Sequence, residues 1–204
     1  MGKIIRCVSP IDGSVYLERE ALSDEAAFAA AARARAAQKD WAARPVQERV
    51  DLVLKANDYI GQTVDRMTNE LAHQMGRPIR YGGEFRGFNE RTLYMASIAE
   101  DSLKPYLVED SGAFKRMIKR EAMGVVLVVA PWNYPYMTAI NTIAPALMAG
   151  NTVILKHAAQ TLKVGEHLAD AFAAAGLPEG VFQNVVDRKS TRLNSSHLVI
   201  SYAV

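Results

Sequence analysis

The sequence predicts an α/β fold, with helices around an incomplete, doubly wound parallel sheet and a β-hairpin projecting from it. Three observations predict this. Residues 125–130 are an unbroken apolar run rich in valine that stops at Pro131, the pattern of a strand buried on both faces. A Pro-Trp-Asn-Tyr-Pro turn follows at 131–135. Residues 136–149 are then apolar and helix-length, Gly150 and Asn151 close them, and 152–156 is a second β-branched strand. Strand, helix and strand in so short a span demand parallel pairing through a right-handed crossover. Residues 162–175 carry Leu162, Val164, Leu168, Ala171 and Phe172 at helical spacing, 176–180 turn, and 181–186 form a third strand. The unit becomes βαβαβ, half of a mononucleotide-binding domain, whose ligands sit at the carboxyl ends of the strands. Those ends carry the 131–135 turn and the run from Lys156 to Gln160.

The elements before this unit read in order. Residues 4–18 alternate as two short strands around a turn at 10–13. Ser23 followed by Asp24 and Glu25 opens a helix, a capping hydroxyl with acids at the positive end of the dipole. The alanine-rich stretch to about Trp41 favours helix, and Pro45 ends it and suits the first turn of the next. From Val46, the positions Val50, Val53, Leu54, Ile60, Val64, Met67 and Leu71 keep helical spacing, with Gly61 as the expected interruption and Gly76-Arg77-Pro78 as the stop. Residues 81–102 read as a further helix that Gly82 and Gly83 begin. Residues 106–108 and 114–120 read as a hairpin whose second strand is highly charged, a device that protects a sheet edge.

Half of the 204 residues are hydrophobic, 23% are charged and the formal net charge is +2. A balance this even argues against nucleic acid and membrane surfaces as partners. With no stretch of membrane-span length and no secretory leader at the start, the expected location is cytoplasmic. Cys7 is the one cysteine, so an internal disulfide is impossible; its apolar neighbours make it a small buried hydrophobe rather than a nucleophile. His73, His157, His167 and His197 lack zinc-site spacing, and no metal is expected. Ser195-Ser196-His197 is no triad, because such groups meet in space and not by adjacency. There is no G-x-G-x-x-G, which argues against an ordinary Rossmann dehydrogenase.

The turn at 131–135, the run APALMAGNTVILK at 144–156 and AGLPEGVFQNVV at 175–186 resemble the NAD(P)-dependent aldehyde dehydrogenase superfamily. Upstream, Trp41, Pro45, Glu48-Arg49 and 75–78 fall where that family has its landmarks. The resemblance covers about residues 8–186 and leans toward the succinate-semialdehyde dehydrogenase branch. It implies the amino-terminal part of the aldehyde dehydrogenase fold. Residues 1–105 would be the first strands and helices of the cofactor-binding domain, 106–122 an oligomerisation-type hairpin and 123–186 half of the dinucleotide-binding domain. The tail at 187–204 resembles translated sequencing adapter and is expected to pack poorly.

The resemblance also implies a reaction. A cysteine thiolate attacks an aldehyde, hydride passes to NADP or NAD, and a glutamate-activated water releases the acid. Asn133 matches the amide that holds the developing oxyanion; its alternative role is to cap the following helix. Ala130, Pro131 and Trp132 match the nicotinamide side. Lys156 matches the lysine at the adenosine ribose. With His157 beside it and Ala159 where NAD-preferring relatives have a glutamate, a 2′-phosphate should be tolerated. A cationic group for substrate could come from the region between Arg77 and Arg91. The cysteine and glutamate match nothing before residue 186, so the chain is expected to be an inactive amino-terminal fragment of a homo-oligomeric enzyme, dimer or tetramer, that takes a small aldehyde. A non-catalytic nucleotide-binding or assembly module, and a fragment of an acylating relative that uses CoA or acyl phosphate, remain as alternatives.

Overall fold

The computed structural model describes residues 3–187 and the backbone of residues 200–203. Strands β1 (Ile4–Val8) and β2 (Val15–Glu20) pair antiparallel. Helix α1 (Asp24–Ala43) starts where the sequence places it, with the Ser23 hydroxyl accepting from the Ala26 N–H. α2 (Val46–Gln62) and α3 (Val64–Met75) follow. The interruption between them falls at Thr63 and not at Gly61. Gly61 lies inside α2 for a packing reason: a Cβ there would stand 2.7 Å from the Phe85 ring. Gly76 closes α3 in the left-handed region, φ 73°, with its N–H on Ala72 and Leu71 carbonyls, as a glycine cap does.

The next helix, α4, runs Phe85–Leu103, four residues later than the sequence suggests. Residues Ile79–Tyr81 form a 3₁₀ turn instead, and Gly82 takes φ 64°. Strands β3 (Tyr106–Asp110) and β4 (Lys115–Ile118) form the expected hairpin. Lys115–Asp110 and Arg116–Glu109 ion pairs cross it, and its apolar side chains Tyr106, Leu107, Val108, Met117 and Ile118 are exposed.

β5 (Val125–Val129), α5 (Pro135–Met148), β6 (Thr152–Lys156), α6 (Leu162–Ala174) and β7 (Phe182–Val185) build the βαβαβ unit, with β5–β6 and β6–β7 both parallel. The sheet does not stop at three strands. Residues Ile200–Ala203 form β8, antiparallel on the free edge of β5, and the order is β7-β6-β5-β8. An apolar central strand needs hydrogen-bond partners on both edges, and this short segment meets that need. The rest of the tail expected to pack poorly, 188–199 and Val204, lies outside the described residues.

Alternate residues of the sheet serve opposite faces. Val126, Val128, Val153 and Leu155 join the main apolar cluster with α5 and α6, while Val125, Leu127, Ile154 and Val185 meet Ala31 and Ala34 of α1. The C-terminal end of α5 is tied down by two buried donors. Trp41 Nε1 donates to the Leu147 carbonyl at 3.0 Å and Arg49 Nε to that of Met148 at 2.8 Å. A guanidinium there also suits the negative end of the helix dipole. Among the described residues no helix is long and apolar enough to cross a membrane.

Candidate functional site

β5 and β6 end side by side. The Ala130 N–H donates to the Lys156 carbonyl at 3.1 Å as the last rung between them. Ala130 is buried, Pro131 and Asn133 are half-buried, and Trp132 and Tyr134 are exposed. The chain must then turn from strand to helix within a few residues, and Tyr134 absorbs the turn at φ 47°, ψ 52°. It is the single non-glycine residue with positive φ among the described residues. That conformation costs an L-residue roughly 1–2 kcal/mol. Such strain marks functional corners, and this one directly follows Asn133.

Asn133 does not cap α5. The N-cap is Tyr134, with no side-chain cap bond. The Asn133 Oδ1 is buried without a hydrogen-bond partner among the described residues. A buried acceptor left unpaired costs about 1–3 kcal/mol, and Asn57, Glu84 and Asn184 each carry one as well.

The cap of α5 comes from a residue the sequence analysis passed over. Glu84 Oε2 accepts from the N–H groups of Tyr136 and Met137, both at 3.1 Å. Pro135 has no N–H, and Thr138 N–H already reaches the Tyr134 carbonyl at 2.9 Å. All first-turn donors are therefore accounted for. Burial pushes the Glu84 carboxyl up to about 7, against the pull of Met137 N–H, Arg77 and Tyr136 N–H. The sequence reading puts Glu84 inside the helix expected over 81–102, and nothing in it says that this acid caps another helix.

Lys156 is buried at the end of β6 and borders a cleft of about 410 Å³ between α1 and the sheet, lined also by Leu127, Val129, Ile154, Val185 and Asp187. Burial lowers its proton affinity and the Asp187 carboxylate raises it. Asp187, read in the sequence as the start of the tail, thus belongs to the surroundings of Lys156. Ala159 opens a 3₁₀ turn, Ala159–Thr161, and brings no charge.

His157 departs from the expectation of a cation beside Lys156. Its ring is buried. Nδ1 accepts from the Ala158 N–H at 3.0 Å and the Thr161 hydroxyl at 2.9 Å, which leaves Nε2 to donate to the Pro135 carbonyl at 3.4 Å. Desolvation pulls its pKa down to about 4, so near neutrality it is an uncharged brace between the two strand ends. Arg77, one of the proposed substrate cations, is also engaged. It donates Nε–H to the Gly82 carbonyl at 2.9 Å and lies 5.9 Å over the Tyr134 ring.

A second buried chain, also missed from sequence, holds α5 from behind. Thr63 donates to the Tyr59 carbonyl at 2.7 Å, so its oxygen accepts from His167 Nε2 at 2.8 Å, and His167 Nδ1 accepts from the Tyr136 hydroxyl at 2.8 Å. Desolvation lowers the His167 pKa to about 4, which keeps the ring neutral. Cys7 is buried with its thiol on the Gln160 carbonyl at 3.1 Å. Desolvation, then Glu70, pushes its pKa up to about 11. A thiol so protonated is a poor nucleophile.

Comparison with known proteins converges on one family. The profile described as "Aldehyde dehydrogenase family" matches residues 1–196. An aldehyde dehydrogenase of Paenarthrobacter nicotinovorans is 32% identical over 187 residues, 89% of this chain and 41% of that protein. A Mycobacterium tuberculosis protein, provisionally named an NADP(+) succinate-semialdehyde dehydrogenase, is 35% identical over 162 residues, 78% of this chain and 30% of its own length. The crystal structure of an NADP-dependent glyceraldehyde-3-phosphate dehydrogenase from Bacillus halodurans, complexed with NADP, superposes with a TM-score of 0.85 at 33% identity, over 92% of this chain and 40% of that one. The chain thus spans about two fifths or less of these relatives.

Proposed function

The chain belongs to the aldehyde dehydrogenase family, and from that premise we propose that its protein oxidises an aldehyde to a carboxylic acid with NADP or NAD. The observation that carries this reading is the placement of the Asn133 side chain, which caps no helix and sits between a strand end and a strained corner. In the proposed reaction its Nδ2–H donates to the carbonyl oxygen of the aldehyde as that oxygen gains charge. A fixed neutral donor of this kind lowers the barrier by about 3–4 kcal/mol. NADP or NAD, when bound, takes up the hydride.

The residues present fit that cofactor. Lys156, buried at the strand end beside the cleft, offers an ammonium to a ribose hydroxyl or a 2′-phosphate, and Ala159 adds no carboxylate against the phosphate. We assign the backbone at Ala130 and Pro131, with the Trp132 ring, to the nicotinamide side. His157 is left out of phosphate binding because its ring faces Pro135.

The cysteine nucleophile and glutamate base implied by the family are not supplied by this chain's matched residues, and the buried Cys7 is no substitute. The 204 residues alone are therefore proposed to bind cofactor without turning over aldehyde. Succinate semialdehyde is the proposed substrate, on the strength of the mycobacterial relative. Assembly into a dimer or tetramer is proposed through the exposed apolar hairpin β3–β4. Calorimetric titration with NADP and with NAD tests the cofactor half. Saturable binding that Lys156→Ala weakens about tenfold, the size of a lost charge-assisted contact, is expected. No binding of either nucleotide would refute it.

A further inference from the structure

We propose that Glu84 is a positioning residue, whose carboxylate, reaching α5 from the loop before α4, sets the angle at which the Tyr134–Pro135 corner presents the Asn133 amide. The functional weight of this proposal rests on the reading of Asn133 given above; its geometry does not.

Three contacts make the loop a brace. Glu84 takes both free amides of the α5 first turn. Arg77, in the same loop, lies over the ring of the strained Tyr134. The loop is itself pressed on α3. Glu84 N–H points at the Met67 sulfur at 3.1 Å, and a Cβ on Gly83 would come within 2.8 Å of that sulfur. Between the capped Tyr136 and Asn133 stand only Pro135, whose ring fixes φ, and Tyr134, confined to the left-handed region. Neither can absorb a rotation of the helix start, so movement at the cap is carried to Asn133.

The groups facing Glu84 are few. Arg77 comes from its own loop, and Tyr136, whose phenol feels the carboxylate, comes from α5 with two backbone amides. α3 contributes the uncharged Met67. Glu84 Oε1 is buried and unpaired among the described residues. The carboxylate is thus placed to change charge near neutrality, where burial has moved its pKa, and a change there alters the strength of both capping bonds.

The test is amide NMR on the whole chain, which reads position without catalysis. Three sets of signals are followed from pH 5.5 to 8.5: the Tyr136 and Met137 amides, the Asn133 side-chain NH₂, and the exchange protection of the two backbone amides. In the unmodified chain all three should titrate with one midpoint near 7. Glu84→Gln keeps an acceptor oxygen and should abolish the titration while retaining protection. Glu84→Ala should lower protection about tenfold, the size of a lost helix cap, and shift the Asn133 signals. Should Glu84→Ala prevent folding, Glu84→Gln alone decides, because a surviving common midpoint in it overturns the proposal. So does an Asn133 signal that ignores both variants while the backbone amides respond, since Glu84 would then cap without positioning. An Asn133→Ala variant of the active enzyme with unchanged kcat leaves these readouts untouched and counts against the Asn133 reading instead.

Discussion

Glu84 ties the site to the stability of the whole chain, and the size of that link can be worked out. Its carboxyl moves from 4.5 to about 7 on folding, mainly through burial. The difference, about 2.5 pH units at 1.36 kcal/mol each, is about 3 kcal/mol. The folded pKa is the higher one, so the folded chain binds more protons across the window. The contribution is fully present below about pH 4.5 and is lost as pH rises through about 7. His157 and His167 act with the opposite sign, because burial lowers their pKa from 6.5 to about 4; their cost appears as pH falls through that range. The total profile mixes all three, so the informative quantity is the difference between Glu84→Gln and the parent. Urea unfolding followed by Trp41 fluorescence, at half-unit steps from pH 4.5 to 7.5, gives it. Relative to the parent, Glu84→Gln should gain about 3 kcal/mol across that span. A difference that stays flat with pH would refute the burial argument.

Other expectations rest on packing. Gly61→Ala forces a methyl to 2.7 Å from the Phe85 ring and should cost about 1–3 kcal/mol in urea unfolding, as overpacking does. Arg49→Ala strips the Met148, Ala42 and Arg44 carbonyls of their shared donor and should cost about 3 kcal/mol; Lys at 49 should recover only part, because it lacks the planar fork. Leu107→Lys combined with Ile118→Glu alters exposed positions and should change stability by less than about 1 kcal/mol. By sedimentation velocity the double variant should be monomeric and the parent oligomeric, and equal mass for both would remove the hairpin from assembly.

The sheet was legible because its signals are local. Valines at 125–129 and the β-branched run at 152–156 announce buried strands, and the alternation of Val126 and Val128 against Val125 and Leu127 fits two covered faces. Helix starts were legible where the cap is sequential, as at Ser23. They failed where the cap comes from elsewhere. α5 is capped across 52 residues by Glu84, and α4 begins late because Gly82 and Gly83 serve the loop that carries Glu84. Asn133 and Lys156 stood out because they match the motifs of the family the sequence resembles, at or just beyond strand ends. His157 misled for the same reason, since a strand-end position does not reveal that the ring turns inward to Pro135. β8 was missed because pairing with β5 is a long-range choice that the polar stretch before it conceals.

The Asn133 amide is the centre of the proposed reaction. The most direct measurement is steady-state aldehyde oxidation by a longer chain that includes the proposed cysteine and glutamate, comparing Asn133 with Asn133→Ala. In the variant kcat should fall about 10²–10³ with KM nearly unchanged, as expected when an oxyanion donor is removed. An unchanged kcat would contradict this role for the amide.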